Sequence, residues 1–85
     1  MLPKIKNISA LSNYKLKVIF EDDKTVIYDV LDDIITLPDF VPLKTQTGLF
    51  ENFQIDESKT CVSWSDRIDL PSDVLYEYGE SLDVA

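Results

Sequence analysis

Residues 14–20 constrain the fold more than any other segment of this chain. Apolar side chains occupy every second position, whereas the positions between them hold Lys15, Lys17 and Ile19. Successive side chains of a strand point to opposite faces, so this spacing predicts a half-buried β-strand with Tyr14, Leu16, Val18 and Phe20 inward. Residues 25–28 are again β-branched or aromatic, and the mainly acidic residues 21–24 predict a four-residue hairpin turn between the two segments.

The segment before this hairpin has a weaker strand pattern. Residues 4–8 carry apolar side chains at Ile5 and Ile8, which are three positions apart. A regular strand cannot point both of them inward, so we expect a first strand that contains a β-bulge or lies at a sheet edge.

The segment after the hairpin predicts short helices. Asp29 can cap a helix of one or two turns, and Pro38 must end it. Another short turn is expected within residues 44–50, where Gly48 disfavours a long helix.

A second hairpin and a closing helix complete the predicted elements. Residues 53–56 and residues 60–64 have the β-branched and aromatic content of two paired strands. After them, Ser72 or Asp69 can cap a helix of about two turns. Gly79 follows that helix and is expected at its C′ position.

Length and cysteine content set the scale of this fold. The 85 residues fit one domain. We expect a single α+β domain over residues 1–85, with a mostly antiparallel sheet of two hairpins, short helices and a closing C-terminal helix. The one cysteine, Cys61, cannot form an intramolecular disulfide, which suits a reducing cytoplasm. Because no apolar segment has the length of a signal peptide or a membrane span, we expect a soluble cytoplasmic protein.

Charge is distributed unevenly along the chain. Residues 1–20 hold four lysines and no acid, whereas residues 21–85 hold all 16 acids against four cations, a difference of −12. This acidic body favours a basic or neutral protein partner over DNA, RNA or an anionic membrane. The alternative is that the excess acid only keeps a small protein in solution.

The residues that most enzymes and metal sites use are scarce. The chain has no histidine, and Cys61 lies in an apolar predicted strand without a neighbouring base. The acids at 21–23 and at Asp29, Asp32 and Asp33 could bind a hard cation, but their spacing does not match a calcium loop. Such residues are also common in turns and at helix starts. We therefore expect a non-enzyme with no catalytic residue, metal or cofactor.

Two groups of side chains near the C-terminus are candidates for a protein interface. Arg67 is the single guanidinium and lies between Asp66 and Asp69, where it could bind a partner's carboxylate or fix its own loop to the fold. Tyr76 and Tyr78 are two positions apart in the predicted closing helix. They cannot both face inward, so one of them is expected at the surface.

Lysines near the N-terminus are a further candidate. Lys4, Lys6, Lys15 and Lys17 form one basic stripe if the first two strands pair, and such a stripe could contact phosphate. A solvated sheet face is the alternative, with edge lysines that discourage aggregation. Trp64 is expected in the core, with its indole N–H hydrogen-bonded.

The joint order of these motifs resembles a known family. The relevant residues are Pro3-x-Ile5, Tyr14-x-Leu16-x-Val18-x-Phe20, Tyr28-Asp29-Val30, Phe50, Phe53-x-Ile55-Asp56, and the run from Trp64 to Leu75-Tyr76. In this order the chain is similar to domain-of-unknown-function family 2442, which comprises short bacterial proteins. Relatives usually have a glycine in the first hairpin turn, where this chain has Asp23-Lys24, and either residue can adopt a left-handed conformation at some cost.

The resemblance implies both a fold and a genomic setting. The fold is that of the N-terminal α+β domain of a two-domain relative, in which a helix-turn-helix follows. Genes of this family are often found beside another small domain of unknown function, in arrangements suspected of being toxin–antitoxin pairs. Because the sequence ends shortly after the predicted closing helix, we expect no helix-turn-helix here and no transcriptional role carried over from that relative.

Two functions are therefore expected, in order of preference. The first is a non-catalytic interaction module that binds another small protein encoded nearby, through candidate residues Arg67, Asp66, Asp69, Tyr76, Tyr78, Lys15 and Lys17. The second is a nucleic-acid-associated accessory protein that uses the lysine stripe. The sequence leaves open whether edge strands pair with another copy of the chain.

Overall fold

Residues 2–82, the part that the computed structural model describes, form two antiparallel sheets around one hydrophobic core. The strands are β1 (Ile5–Leu11), β2 (Lys15–Phe20), β3 (Thr25–Asp29), β4 (Gln54–Ile55), β5 (Cys61–Ser65), β6 (Ile68–Pro71) and β7 (Glu80–Ser81). The helices are α1 (Val30–Thr36), α2 (Pro42–Thr45) and α3 (Ser72–Tyr78), with 3₁₀ turns at Ser12–Tyr14 and Pro38–Phe40. The α+β fold is confirmed.

The sheet arrangement is more divided than the sequence predicted. A four-stranded sheet has the order β1-β2-β3-β7, and a three-stranded sheet has the order β4-β5-β6. The expected second hairpin is β4 and β5, with Ile55 opposite Val62. The two expected hairpins lie in separate sheets, and β6 pairs with the other side of β5 as the third strand of the second sheet.

The hairpin of β2 and β3 forms as predicted, except that Tyr14 lies outside β2, in the preceding 3₁₀ turn, where it is half-buried at a left-handed φ of 59°. Leu16, Val18 and Phe20 are fully buried, and β3 pairs antiparallel with β2 from Ile19 opposite Thr25 onward. In the turn between the strands, Asp23 adopts a left-handed φ of 72°. This conformation costs a non-glycine residue about 1 kcal/mol.

The first strand has the predicted irregularity. β1 is an edge strand with a β-bulge between Ile5 and Asn7, and both Ile5 and Ile8 are buried. The bulge adds one residue to the register, so two side chains three positions apart can point to the same face.

The expected short helices between the hairpins also form. The Asp29 carboxylate accepts a hydrogen bond from the backbone N–H of Leu31 at 3.1 Å and so caps α1, which ends at Thr36 before Pro38. The next helix, α2, begins earlier than the turn expected within residues 44–50. Within residues 2–82, no helix has the length and apolar character needed to cross a membrane.

The closing helix forms and ends before Gly79 as predicted, but the predicted cap at its beginning is wrong. Ser72 lies inside α3 and is fully buried, whereas Pro71 is the N-cap and Asp69 belongs to β6. The backbone N–H of Ser72 donates to the Thr60 carbonyl at 2.8 Å, which joins the start of the helix to β5. Extended backbone from β6 therefore leads directly into the helix, without a side-chain cap.

Gly79 ends the helix for a reason that the sequence did not suggest. Its φ is −69°, so it is not in the left-handed conformation expected at C′. A Cβ atom at this position would lie 2.5 Å from the Leu75 carbonyl oxygen and 2.7 Å from the Val26 Cγ2 atom. Glycine is required here because the chain passes close to β3.

We predict that Gly79→Ala destabilises the domain by roughly 1–3 kcal/mol, because the added methyl group overpacks the contact between α3 and β3. Urea unfolding followed by Trp64 fluorescence measures this change. Glu77→Ala is the control, since it shortens an exposed side chain of the same helix. A cost at Gly79 no larger than the cost at Glu77 would contradict the close approach.

Candidate interaction groove

A groove of about 590 Å³ opens at the surface between α1, α3 and the end of β3. It is lined by Tyr28, Asp29, Asp32, Asp33, Val74 and Tyr78. The groove therefore combines carboxylates with aromatic and aliphatic surface. This combination suits a ligand that carries both positive charge and apolar groups.

Tyr28 and Asp33 form the inner part of this groove. Tyr28 is buried on the inward face of β3, and its hydroxyl donates to the Asp33 carboxylate at 2.7 Å. Burial raises the pKa of Asp33 above its ordinary value, although the bond from Tyr28 acts in the opposite direction. Burial also raises the pKa of Tyr28, and the neighbouring Asp33 carboxylate adds to this effect.

The two other carboxylates make the groove more acidic. Asp29 caps α1, while Asp32 is exposed in the first turn of the same helix. Their negative charges further raise the pKa of Asp33. Within residues 2–82, no three acidic or cysteine side chains are arranged to hold a metal ion. The cationic end of a lysine or arginine side chain needs only one of these carboxylates as a partner.

Tyr78 forms the outer wall of the groove. Its side chain is 77% exposed on the last turn of α3. Within residues 2–82 it makes no hydrogen bond, ion pair or ring contact. An aromatic side chain left this exposed beside charged groups is a frequent feature of binding surfaces.

The position of Tyr78 depends on how its neighbour Tyr76 packs. The Tyr76 ring makes an edge-to-face contact with Phe20, with 4.9 Å between the ring centroids. The Lys24 ammonium group lies 3.9 Å from the centre of the same ring, and the Tyr76 hydroxyl donates to the Asp22 carboxylate at 2.7 Å. These contacts hold one face of α3 against the first hairpin, so Tyr78 on the other face points outward.

Comparison with known proteins supplies the family. The model for the protein of unknown function family DUF2442 matches residues 5–81. The chain belongs to this family. Among proteins with curated descriptions, none matches the chain at a significant level.

A solved structure is similar to this DUF2442 domain. It is the crystal structure of "Putative DNA Binding Protein NE0471" from Nitrosomonas europaea, with 27% sequence identity and a TM-score of 0.65. The match covers 79% of this chain and 43% of that chain. This chain therefore spans less than half the length of the protein that it resembles.

The two tyrosine candidates of the DUF2442 domain have different surroundings. The expectation that one of them faces outward is confirmed, and it is Tyr78. Trp64 packs against the core as predicted, and its indole N–H donates to the Phe50 carbonyl at 2.8 Å. The Trp64 and Phe50 rings stack with 6.0 Å between their centroids, so Trp64 joins β5 to the segment before β4.

Arg67 and its aspartates lie away from the groove. Asp66 and Arg67 form the turn between β5 and β6, and Asp69 is an exposed residue of β6. The Arg67 guanidinium makes no ion pair within residues 2–82, where the recorded ion pair joins Lys6 and Asp23 at 3.5 Å. None of these three residues lines the groove that contains Tyr78.

The lysine candidates do not form one continuous stripe. Lys15 and Lys17 share the outer face of the four-stranded sheet, where Lys15 lies opposite Asp29. Lys6 lies at the bulge and pairs with Asp23, whereas Lys4 precedes β1. The basic surface is thus interrupted by carboxylates.

Sequence reasoning missed the groove itself. It treated Asp29, Asp32 and Asp33 as a helix cap and solvated acids, and it placed Tyr28 in a strand. Asp29 does cap α1, but the packing of α3 against β3 is what brings Val74 and Tyr78 to the same place. The strongest signal in the sequence was the pair of tyrosines two positions apart.

We predict that Asp33→Asn stabilises the domain at about pH 7. The raised pKa of Asp33 means that the fold favours the protonated form, so the wild type loses stability as pH rises from about 3.9 through the raised pKa. The amide removes this loss, and its carbonyl still accepts the bond from Tyr28. Urea unfolding at about pH 7 and about pH 3 should show a larger gain at the higher pH.

The control for this change is Asp39→Asn, which removes one charge from an exposed position outside the groove. A gain from Asp33→Asn that is equal at both pH values would contradict the proposed effect of burial on Asp33.

Proposed function

We propose that this DUF2442 domain is a non-catalytic protein-interaction module that holds a basic, partly apolar segment of a small partner protein in the α1–α3 groove. The observation that carries the proposal is the exposed Tyr78 ring beside the carboxylates of Asp29, Asp32 and Asp33. The groove offers aromatic surface for burial and negative charge for orientation.

The energetic contribution of the groove would come from two sources. Burial of the Tyr78 ring supplies apolar area at small entropic cost, because tyrosine has few rotatable bonds. A lysine or arginine from the partner would neutralise the carboxylates that now repel one another. Since Asp33 is partly buried and has a raised pKa, a cation at this point gains more than it would at a fully solvated acid.

The chemistry of the chain supports binding over catalysis. The sequence has no histidine, and burial raises the pKa of the Cys61 thiol, which disfavours the reactive thiolate. We also place the domain in the cytoplasm, where a single unpaired cysteine stays reduced. We propose as the partner the product of a neighbouring gene, in agreement with the gene arrangements that the family resemblance implies.

We predict that the domain co-purifies with the protein encoded by the adjacent gene and that Tyr78→Ala weakens the complex about 30-fold, the effect of a central aromatic contact. Asp32→Lys should also weaken it, because the reversal places a positive charge beside a basic segment. Calorimetric titration of the purified partner measures both changes.

Matched controls separate the groove from the rest of the surface. Arg67→Ala and Asp39→Lys change exposed charges outside the groove, so both should leave the affinity within about twofold of the wild type. Binding that survives both Tyr78→Ala and Asp32→Lys would place the interface elsewhere. Failure to detect any complex with the neighbouring gene product would remove that partner.

Nucleic-acid association is a second candidate function. It is favoured by the similarity to a protein whose name proposes DNA binding and by Lys15 and Lys17 on one open sheet face. Two observations speak against nucleic-acid binding. Asp29 lies opposite Lys15 on that face, and the chain as a whole carries a net charge of −8.

Salt dependence discriminates between the two functions. Binding to phosphates through Lys15 and Lys17 predicts that affinity for duplex or single-stranded DNA falls steeply with salt, and that a double Lys→Gln change at these positions reduces the slope by about two. The interaction module predicts no binding of either nucleic acid at about 0.15 M salt. Fluorescence anisotropy across salt concentrations measures this.

A further inference from the structure

The outer edge of β1 is open after the bulge. At the beginning of the strand, the backbone N–H of Ile5 donates to the Lys59 carbonyl at 2.7 Å, so this part of the edge is occupied. Past the bulge, residues 7–11 pair with β2 on one side. Within residues 2–82, no hydrogen bond joins the other side of this stretch to another element.

Strand alternation identifies the unpaired backbone groups. The backbone N–H of Phe20 donates to the Lys24 carbonyl, toward β3, whereas the backbone N–H of Glu21 donates to the Lys4 carbonyl, toward β1. The backbone groups of every second residue of β2 therefore point to β1. Opposite these residues of β2 lie Asn7, Ser9 and Leu11, whose backbone N–H and C=O groups therefore bond to β2. The N–H and C=O groups of Ile8 and Ala10 therefore point outward.

The side chains of this stretch present no charge against pairing. Residues 7–11 are Asn, Ile, Ser, Ala and Leu, with no proline and no lysine. Edge strands that avoid association usually carry lysine or proline, contain a bulge or are very short. By comparison, β4 and β7 each have two residues, and the edge strand β6 carries Asp69 and Pro71.

We propose that two copies of this chain associate through their β1 strands, antiparallel and about a two-fold axis at Ser9, to form a continuous eight-stranded sheet. In this register Ile8 lies opposite Ala10 of the second copy, and both copies satisfy all of their outward backbone groups. A two-fold centred on Ile8 would instead place Ala10 against the bulge at Lys6. Centring on Ala10 would place Ile8 against the turn at Ser12.

Electrostatics also favours this edge as the meeting point of two acidic chains. Residues 7–11, which form the interface, carry no charge. The lysines of β2 in the two copies are three strand spacings, or about 14 Å, apart, and Lys6, which pairs with Asp23 of its own chain, lies two strand spacings, or about 10 Å, from β2 of the second copy. Both distances exceed the Debye length of about 8 Å at physiological salt. The acidic groove lies beyond β3, on the side of the sheet away from β1, so it stays open for the partner.

Site-specific crosslinking tests the register. In a Cys61→Ala background, Ser9→Cys places two thiols opposite each other at a non-hydrogen-bonded pair, with Cα atoms about 4.5 Å apart, a separation that suits a disulfide. Mild oxidation should convert most of this variant to a covalent dimer. The controls Asn7→Cys and Leu11→Cys change exposed residues of the same face. In each of these variants the two equivalent cysteines of a dimer lie about 13 Å apart, too far for a disulfide, so the variant should run as a monomer on gels without reducing agent.

A charge substitution tests association without a crosslink. Ser9 lies opposite Lys17 within one chain, so Ser9→Glu gains an attractive pair there and should not lower the unfolding temperature. Across the two-fold axis, it places two carboxylates side by side, and sedimentation velocity should show the association constant reduced at least about fivefold. Ser9→Thr should associate as the wild type does.

Two results would overturn the proposal. One is crosslinking at Asn7 or Leu11 that equals crosslinking at Ser9, which would indicate random encounter. The other is a wild-type chain that stays monomeric in sedimentation at every concentration up to about 1 mM, where even weak association is measurable.

Discussion

The contact between α3 and the first hairpin is the interaction on which the rest of the structure depends. Gly79 passes so close to Val26 that no side chain fits between helix and strand. Tyr76 fixes the same helix through its contacts with Phe20, Lys24 and Asp22. Because the Tyr76 hydroxyl bonds to the Asp22 carboxylate, it holds the pKa of that group below its usual range. With one face of α3 fixed in this way, Tyr78 is directed to solvent, and the groove beside α1 acquires its outer wall.

The groove gains its chemical character from a conflict between folding and charge. A helix start favours acids, so Asp29 and Asp32 suit the first turn of α1. Asp33 is placed less favourably, because it is partly buried and near two other carboxylates, with the Tyr28 hydroxyl as its compensating donor. A position where a carboxylate costs stability and yet faces an open groove is typical of a binding surface. The proposed basic partner would relieve this cost, which links the fold of the domain to its proposed function.

Local patterns predicted the parts of the fold that depend on neighbours in sequence. The hairpin of β2 and β3, the cap at Asp29 and the irregularity between Ile5 and Ile8 follow from spacing and residue type alone. The third strand of the second sheet, β6, was missed because it is four residues long and joins α3 directly, so Ile68 and Leu70 were left outside the predicted strands. The groove was missed for a different reason. Its residues come from β3, α1 and α3, and only tertiary packing brings them together, although the outward position of one closing tyrosine could be inferred.

The central claim is that the α1–α3 groove is where a basic partner segment binds. The most direct test is a titration of the ¹⁵N-labelled domain with the protein encoded by the adjacent gene, followed by amide chemical shifts in NMR spectra. The account predicts that the largest changes cluster at Tyr28, Asp32, Asp33 and Tyr78, and that the amides of the β1 edge change little. Changes confined to the turn at Arg67, or to Lys15 and Lys17 on the open sheet face, would contradict it.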